Sequence, residues 1–492
     1  MHRYRSGPRV LMVAAGMVAI VAAACGGSAP ATTAPASEAA APTAAPSAAP
    51  SLVAITPAPI TTAAGPNGGV VVRWFIGIGS GGKPEQVAAE QKFAADFNAA
   101  QKAVYLSVEI YDNSVAANQL QIQIAAGNPP DIIGPVGVEG LNIFRDNLLD
   151  LAPLIASHNF DMTKFDPALS DYFAIGKEGA TIGVPYATYP SFIYYNKKLF
   201  DEAKLPYPPT KVGDLYDGKP WDMEAVRNLG MKLTVDKNGN DATSADFDPE
   251  NIVQWGFDMQ WADDRADTEA TIFGSSSVVS ADGKTAQITD QFKTGLKWLN
   301  DGVWKDHFIM TDAQFNDRQV DQGFFSGDVA MAENFLWTTY GVVGAGKHWD
   351  LAAIPSYNGK VTAPLNADTF SIFKAGKNQD AAFAAMVYLL QDSSASLLPL
   401  YGGIPARTPE QDAFFAAVAK TEGFPPDVDW TVAKAAIKYA DIPNFEAPMP
   451  VYNKSLKILE TYRSKWFTKP GLNMDQEIEA LRAELQAAWD AG

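Results

Sequence analysis

Chemistry that depends on particular side chains has few openings in this chain. Its only cysteine is Cys25, and its four histidines, His2, His158, His307 and His348, lie far apart. That excludes an intrachain disulfide framework and any Cys-ligated zinc or iron–sulfur site, and no histidine falls in an H-E-x-x-H pattern. The run Gly77-Ile78-Gly79-Ser80-Gly81-Gly82 lacks the Lys-Ser/Thr with which a phosphate loop grips phosphate and magnesium. Its small residues instead let a ligand approach backbone amides, just beyond Trp74. From Asp236 to Asp248, oxygen-bearing side chains alternate as at the start of a calcium loop. Asp241 stands where such a loop needs Gly and Phe247 where it needs Glu, so a solvated turn is expected, with no metal and no cofactor. What the chain has in quantity is 11 Trp, 17 Tyr and 26 Phe, and 56 Asp and Glu against 38 Lys and Arg, a net charge of −18. Aromatic faces can pack in a core or stack on a ligand, and carboxylates accept hydrogen bonds from hydroxyls. The charge balance argues against a surface for nucleic acid or anionic lipid.

Such groups need rigid elements behind them. With 492 residues, 47% of them hydrophobic, the chain can build a sizeable core and two to three domains. Val70–Ile76 is a short apolar run that reads as a buried strand. Pro84 then opens a helix with Val87, Phe93 and Phe97 near one face. Residues 105–111 alternate as a second strand. A helix-like segment over 113–126 ends at Gly127-Asn128-Pro129-Pro130, ahead of the apolar Ile132-Ile133. The order β-α-β-α-β implies a parallel sheet with crossover helices. The alternation recurs, with strands expected at 252–259, 329–332 and 351–354 and helices at 292–300 and 380–390. A last helix is capped by Asn473, with Met474, Ile478, Leu481, Leu485 and Trp489 along one face. No repeat of 20–50 residues appears, which argues against solenoids and propellers.

The N-terminus reads as an address. Arg3, Arg5 and Arg9 precede an uncharged run over 10–24, shorter than the roughly 20 residues a membrane span needs. Val21-Ala22-Ala23-Ala24-Cys25 resembles a bacterial lipobox, with Ala22 where Leu is usual. The resemblance implies that residues 1–24 are a signal peptide and that Cys25 is lipidated as the mature N-terminus. The protein would then sit outside the cytoplasm, anchored to the cell membrane. Residues 25–68 are rich in Ala, Pro, Thr and Ser, with Glu38 as their only charge, and read as a disordered tether.

Further strings carry a second resemblance. Gly127-Asn-Pro-Pro-Asp131 after an alanine pair, Leu148-Leu-Asp-Leu-Ala-Pro-Leu, Gly183-Val-Pro-Tyr186 and Tyr194-Tyr195-Asn196-Lys197-Lys198-Leu199-Phe200 are similar to motifs of extracellular solute-binding proteins of the maltose-binding type. Phe325-Ser-Gly-Asp-Val-Ala-Met331, Ile354-Pro355 and Gly403-Ile-Pro-Ala-Arg407 follow in that family's order, so the resemblance spans about 70–490. It implies an α/β protein of two lobes, each a mostly parallel sheet flanked by helices, closing on a solute by hinge motion. The lobes are expected at 69–188 plus about 368–400, and at 189–367 plus about 401–492. Crossings fall near 187–189, 364–370 and 399–404. It also implies a monomer that hands its solute to a membrane-embedded ABC permease.

The site follows from the same resemblance. Trp337, just after the strand at 329–332, matches the place where the family puts a sugar-stacking tryptophan, and Tyr340 lies one helical turn on. Tyr189 matches a cleft residue, with Tyr186 close by, and Trp74 ends the first strand. Gln260, Trp261 and Asp263 follow a strand of the second lobe; Asn366 and Asp368 sit at a crossing. Asp131 reads as a turn residue. Tyr194 and Tyr195 belong to a structural motif, which argues against iron. Aromatic faces beside neutral or acidic hydrogen-bonding groups, without clustered Arg, point to a neutral sugar or oligosaccharide. The alternatives are a polyamine or glycerol phosphodiester as solute, or an exported glycan-active enzyme using two carboxylates.

Overall fold

The computed structural model describes residues 64–492, apart from 167–168, 170–178, 260–264, 276, 318–323, 342–345, 442–443 and 446–448. Cys25 and residues 1–24, expected to be a signal peptide, lie outside that set. The tether expected to reach residue 68 gives way earlier: the Asn67 side-chain amide already donates to the Val104 carbonyl at 2.9 Å.

The first elements follow the sequence pattern closely. They are β1 (Val70–Ile76), α1 (Pro84–Ala100), β2 (Val104–Ile110), α2 (Asn113–Ala125), β3 (Ile132–Val136) and the short α3 (Val138–Phe144). β1 pairs in parallel with both β2 and β3. Pro84 costs nothing in the first turn of α1, where its missing N–H would be unpaired anyway. Asp112 caps α2 by accepting from the Ser114 N–H at 3.0 Å. The motif ending in Asp131 is structural. Arg73 Nη1 donates to the Asn128 and Pro129 carbonyls at 3.2 and 3.1 Å, and Asp131 Oδ2 accepts the Arg73 backbone N–H at 2.9 Å. Buried Glu109 takes the other side of that guanidinium at 2.5 and 3.1 Å.

The rest of the main sheet is built around one long strand, β4 (Val184–Asn196), whose 13 residues are all buried. β5 (Asp258–Met259), β6 (Met331–Phe335), β7 (Trp349–Ala352), β8 (Leu365–Ile372) and β9 (Ile404–Pro405) complete it. The strand order is β2-β1-β3-β8-β4-β6-β5, with β7 and β9 also paired to β4. Each antiparallel pair in this sheet involves β4 or β8. Asn196 ends β4 and caps the next helix through the Lys198 and Leu199 N–H groups, which explains the Tyr-Tyr-Asn-Lys-Lys string.

The single strand expected over 252–259 is two. Ile252–Gln254 pairs with Val235–Asp236 in a small ribbon, and β5 joins the main sheet. Between them a Cβ on Gly256 would lie 1.9 Å from the Gly230 carbonyl, so the chain passes that helix too closely for any side chain. Two hydrophobic cores result, one around Trp74, Leu120, Phe370 and Leu389, the other around Phe200, Val226, Phe292 and Leu481. Ile404, Phe414, Val432 and Ile437 pack in the first core together with Trp349 and Leu351. The last helix, Met474–Ala491, buries the five residues foreseen, and Asn473 accepts the Gln476 N–H at 3.3 Å.

Candidate functional site

Antiparallel pairing of β8 with β4 sets Asn366 opposite Tyr189 and Asp368 opposite Ala187. Directly paired residues, and residues two apart on one strand, share a face, so Tyr189, Asn366 and Asp368 point the same way. The loop after β1 comes down on them. Gly77 and Gly82 both have positive φ, and a Cβ on either would meet the Tyr111 carbonyl at 2.2 or 2.3 Å; only glycine lets the loop fold this tightly. Ser80 is thereby delivered to the crossing. Its N–H donates to Asp368 Oδ2 at 3.0 Å, and the Tyr189 hydroxyl donates to the same oxygen at 3.2 Å. With its proton so placed, the Tyr189 oxygen accepts from Ser80 Oγ at 2.5 Å. Gly403 makes room for this hydroxyl, since a Cβ there would stand 2.8 Å from it.

Trp337 follows β6 in the turn Leu336–Gly341 and is half-buried. Its ring meets Tyr189 edge-on, centroids 5.0 Å apart, and stacks on Phe335 at 4.5 Å and 11°. The fold therefore brings together four of the expected residues, Tyr189, Trp337, Asn366 and Asp368, and adds Ser80. The arrangement is an aromatic wall beside a directed chain of hydroxyl, phenol and carboxylate. Burial pushes the Asp368 carboxyl above its ordinary value, opposed by the hydrogen bonds from Ser80 and Tyr189; burial and the Asp368 charge raise the Tyr189 phenol. Asp368 Oδ1, beside Gly137, accepts no hydrogen bond among the described residues. Nδ2 of Asn366 is buried without a partner there. Beneath the glycine loop lies buried Glu90, which accepts from the Tyr401 hydroxyl at 2.8 Å and is pushed up to about 7 by burial.

Two expected site residues are placed elsewhere. Trp74 is fully buried in the first core, and its indole N–H donates to the Gly134 carbonyl at 2.7 Å. Tyr186 lies three residues from Tyr189, and a strand's alternation cannot send both side chains to one face. Its ring packs edge-on against Phe370 and its hydroxyl bonds Ser393 Oγ at 2.6 Å, so ring and hydroxyl are both used inside the protein. Gln260, Trp261 and Asp263 lie outside the described residues, as does the Tyr340 side chain. The calcium-like segment is a self-satisfied turn. Asp236 accepts the N–H groups of Asn238, Asn240 and Asp248 and the Asn240 amide. Against the upward push of burial, these hold its carboxyl down at about 2. Oxygens so engaged face N–H donors, not a cation. Among the described residues no cluster of His, Cys, Asp and Glu is arranged for a metal.

No curated protein sequence matches the chain. Solved structures do. An ABC substrate-binding protein from Listeria monocytogenes, in complex with cycloalternan, superposes with TM-score 0.65 at 17% identity, covering 85% of this chain and 99% of that one. The cyclic alpha-maltosyl-1,6-maltose binding protein from Arthrobacter globiformis gives 0.64 at 17%, over 86% and 100%. The sugar-binding protein MalE from Xanthomonas citri gives 0.63 at 15%, over 86% and 98%. At such identities the likeness establishes the two-lobed α/β fold. Over residues 92–426 the chain also matches the sequence model of the bacterial extracellular solute-binding proteins, and it belongs to that family.

Proposed function

We propose that this protein captures a neutral sugar or oligosaccharide between its lobes and delivers it, chemically unchanged, to an ABC importer in the membrane. The observation that carries this reading is the wall of Trp337, Phe335 and Tyr189 set against the Ser80–Tyr189–Asp368 chain. A pyranose offers an apolar C–H face to such a wall and hydroxyl donors to such an acceptor. The neighbours that bind cycloalternan and cyclic alpha-maltosyl-1,6-maltose support the same ligand class. On this reading β4 and β8 are the crossings between the lobes, where small dihedral changes would close the cleft around a sugar. A thermal-shift screen over neutral glycans, polyamines and glycerol phosphodiesters tests the reading. A neutral glycan present at about 100 times its Kd should stabilise the fold by about 2.7 kcal/mol. A shift with polyamines or phosphodiesters alone contradicts it.

Capture beside an importer fits a protein held at the membrane by a lipid on Cys25, acting as a monomer on the end of its Ala/Pro-rich tether. Cys25→Ser should then move the protein from the membrane to the soluble fraction on cell fractionation; unchanged partitioning counts against the anchor.

A further inference from the structure

The face of the sheet that carries Tyr189 continues along β4 to Ser191 and Ile193. There β6 sets Phe335 opposite Ser191 and Glu333 opposite Ile193. Glu333 is completely buried, and neither carboxylate oxygen has a hydrogen-bond partner among the described residues. The same holds for Ser191 Oγ and, on the other side of β4, for Nδ2 of Asn366. Burial pushes the Glu333 carboxyl up to about 7; the Ser191 hydroxyl is near enough to oppose this without reaching the geometry of a normal hydrogen bond. Buried polar groups are paired in the great majority of cases, and apolar side chains of similar volume would pack here at no such cost. Glu333 and Ser191, two neighbouring orphans on the face that carries Phe335, call for a partner from outside the chain.

We infer that Ser191 and Glu333 form a polar subsite beside Phe335, which takes an adjacent pair of hydroxyls on a sugar ring once Trp337 gives way. Their chemistry is complementary to such a pair: Glu333 accepts from one hydroxyl, and Ser191 donates to or accepts from its neighbour. In its ionised form the carboxyl also repels an anionic ring, which disfavours uronates and sugar phosphates. The inference rests on the sugar-binding reading above.

The test compares wild type, Glu333→Met, Glu333→Gln and Ser191→Ala in calorimetric titrations with the neutral glycan that shifts wild-type melting most. A thermal melt of each ligand-free variant accompanies the titrations. Glu333→Met should melt at a higher temperature than wild type yet bind about 10- to 100-fold more weakly, the range for losing a hydrogen bond to a charged group. Glu333→Gln, which keeps one acceptor, should fall between the two, and Ser191→Ala should also weaken binding. If Glu333→Met does not fold, the Gln and Ala variants carry the comparison. Wild-type affinity in the folded variants, with wild type itself binding, overturns the subsite alone. A wild type that binds no sugar overturns the sugar reading and the subsite with it.

Discussion

Trp337→Ala is expected to weaken sugar binding about 30- to 1,000-fold while leaving a folded protein. An aromatic ring at the centre of a binding surface contributes roughly 2–4 kcal/mol when truncated, through lost dispersion contact and incomplete desolvation of the partner. Trp337 is placed for that role. It is half-buried at the end of β6, held flat by Phe335 on one side and edge-on by Tyr189 on another. The same partial exposure limits the structural damage, so its stability loss should fall short of the 3–5 kcal/mol of a core tryptophan. Titration and differential scanning calorimetry on this one variant separate the roles. Intact affinity with a large fall in melting temperature would show that Trp337 is packing and not a ligand platform.

Trp74→Ala should give the opposite pattern, a loss of about 3–5 kcal/mol in stability and little change in affinity of the folded fraction. Trp74 ranks among the largest side chains with no solvent exposure, and its cavity would open between β1 and Phe370, whose ring lies 6.1 Å away. The change also strands the Gly134 carbonyl, which loses its 2.7 Å hydrogen bond. Chemical denaturation reads the stability and a parallel titration the affinity. A variant of normal stability that no longer binds would return Trp74 to the cleft.

The contrast between the two tryptophans shows what a one-dimensional pattern carries. β1, α1, β2 and α2 were legible because short apolar or alternating runs are divided by clear stops: Pro84 opens α1 and Gly127-Asn128-Pro129-Pro130 ends α2, where backbone chemistry demands it. β4 was not. Its 13 residues are buried throughout, so no alternation marks the strand, and Pro185 and Pro190 interrupt it in a way that argues against a central strand. Both prolines sit where pairing changes. Thr369, opposite Pro185, follows a shift in register, and Pro190 is the last residue paired to β8 before β6 takes over at Ser191.

Without β4 as one strand, Tyr186 and Tyr189 cannot be sorted onto opposite faces, and both read as cleft residues. Ser80 lay within a run singled out for its small residues, but only the fold shows that this loop lands on Asp368. Glu333 left a trace, a lone carboxylate in an apolar segment. The strand expected at 329–332 stopped one residue short of it, whereas the actual strand runs to Phe335. Trp337, Asn366 and Asp368 entered as candidates through family resemblance, because their proximity to Tyr189 depends on pairings between strands more than 130 residues apart in sequence.

The most direct measurement is a calorimetric titration of the intact chain with neutral oligosaccharides, followed by chemical recovery of the ligand. Saturable binding with the sugar recovered unchanged is the expected result. Cleaved sugar, or a ligand response confined to polyamines or phosphodiesters, would contradict capture of a neutral sugar.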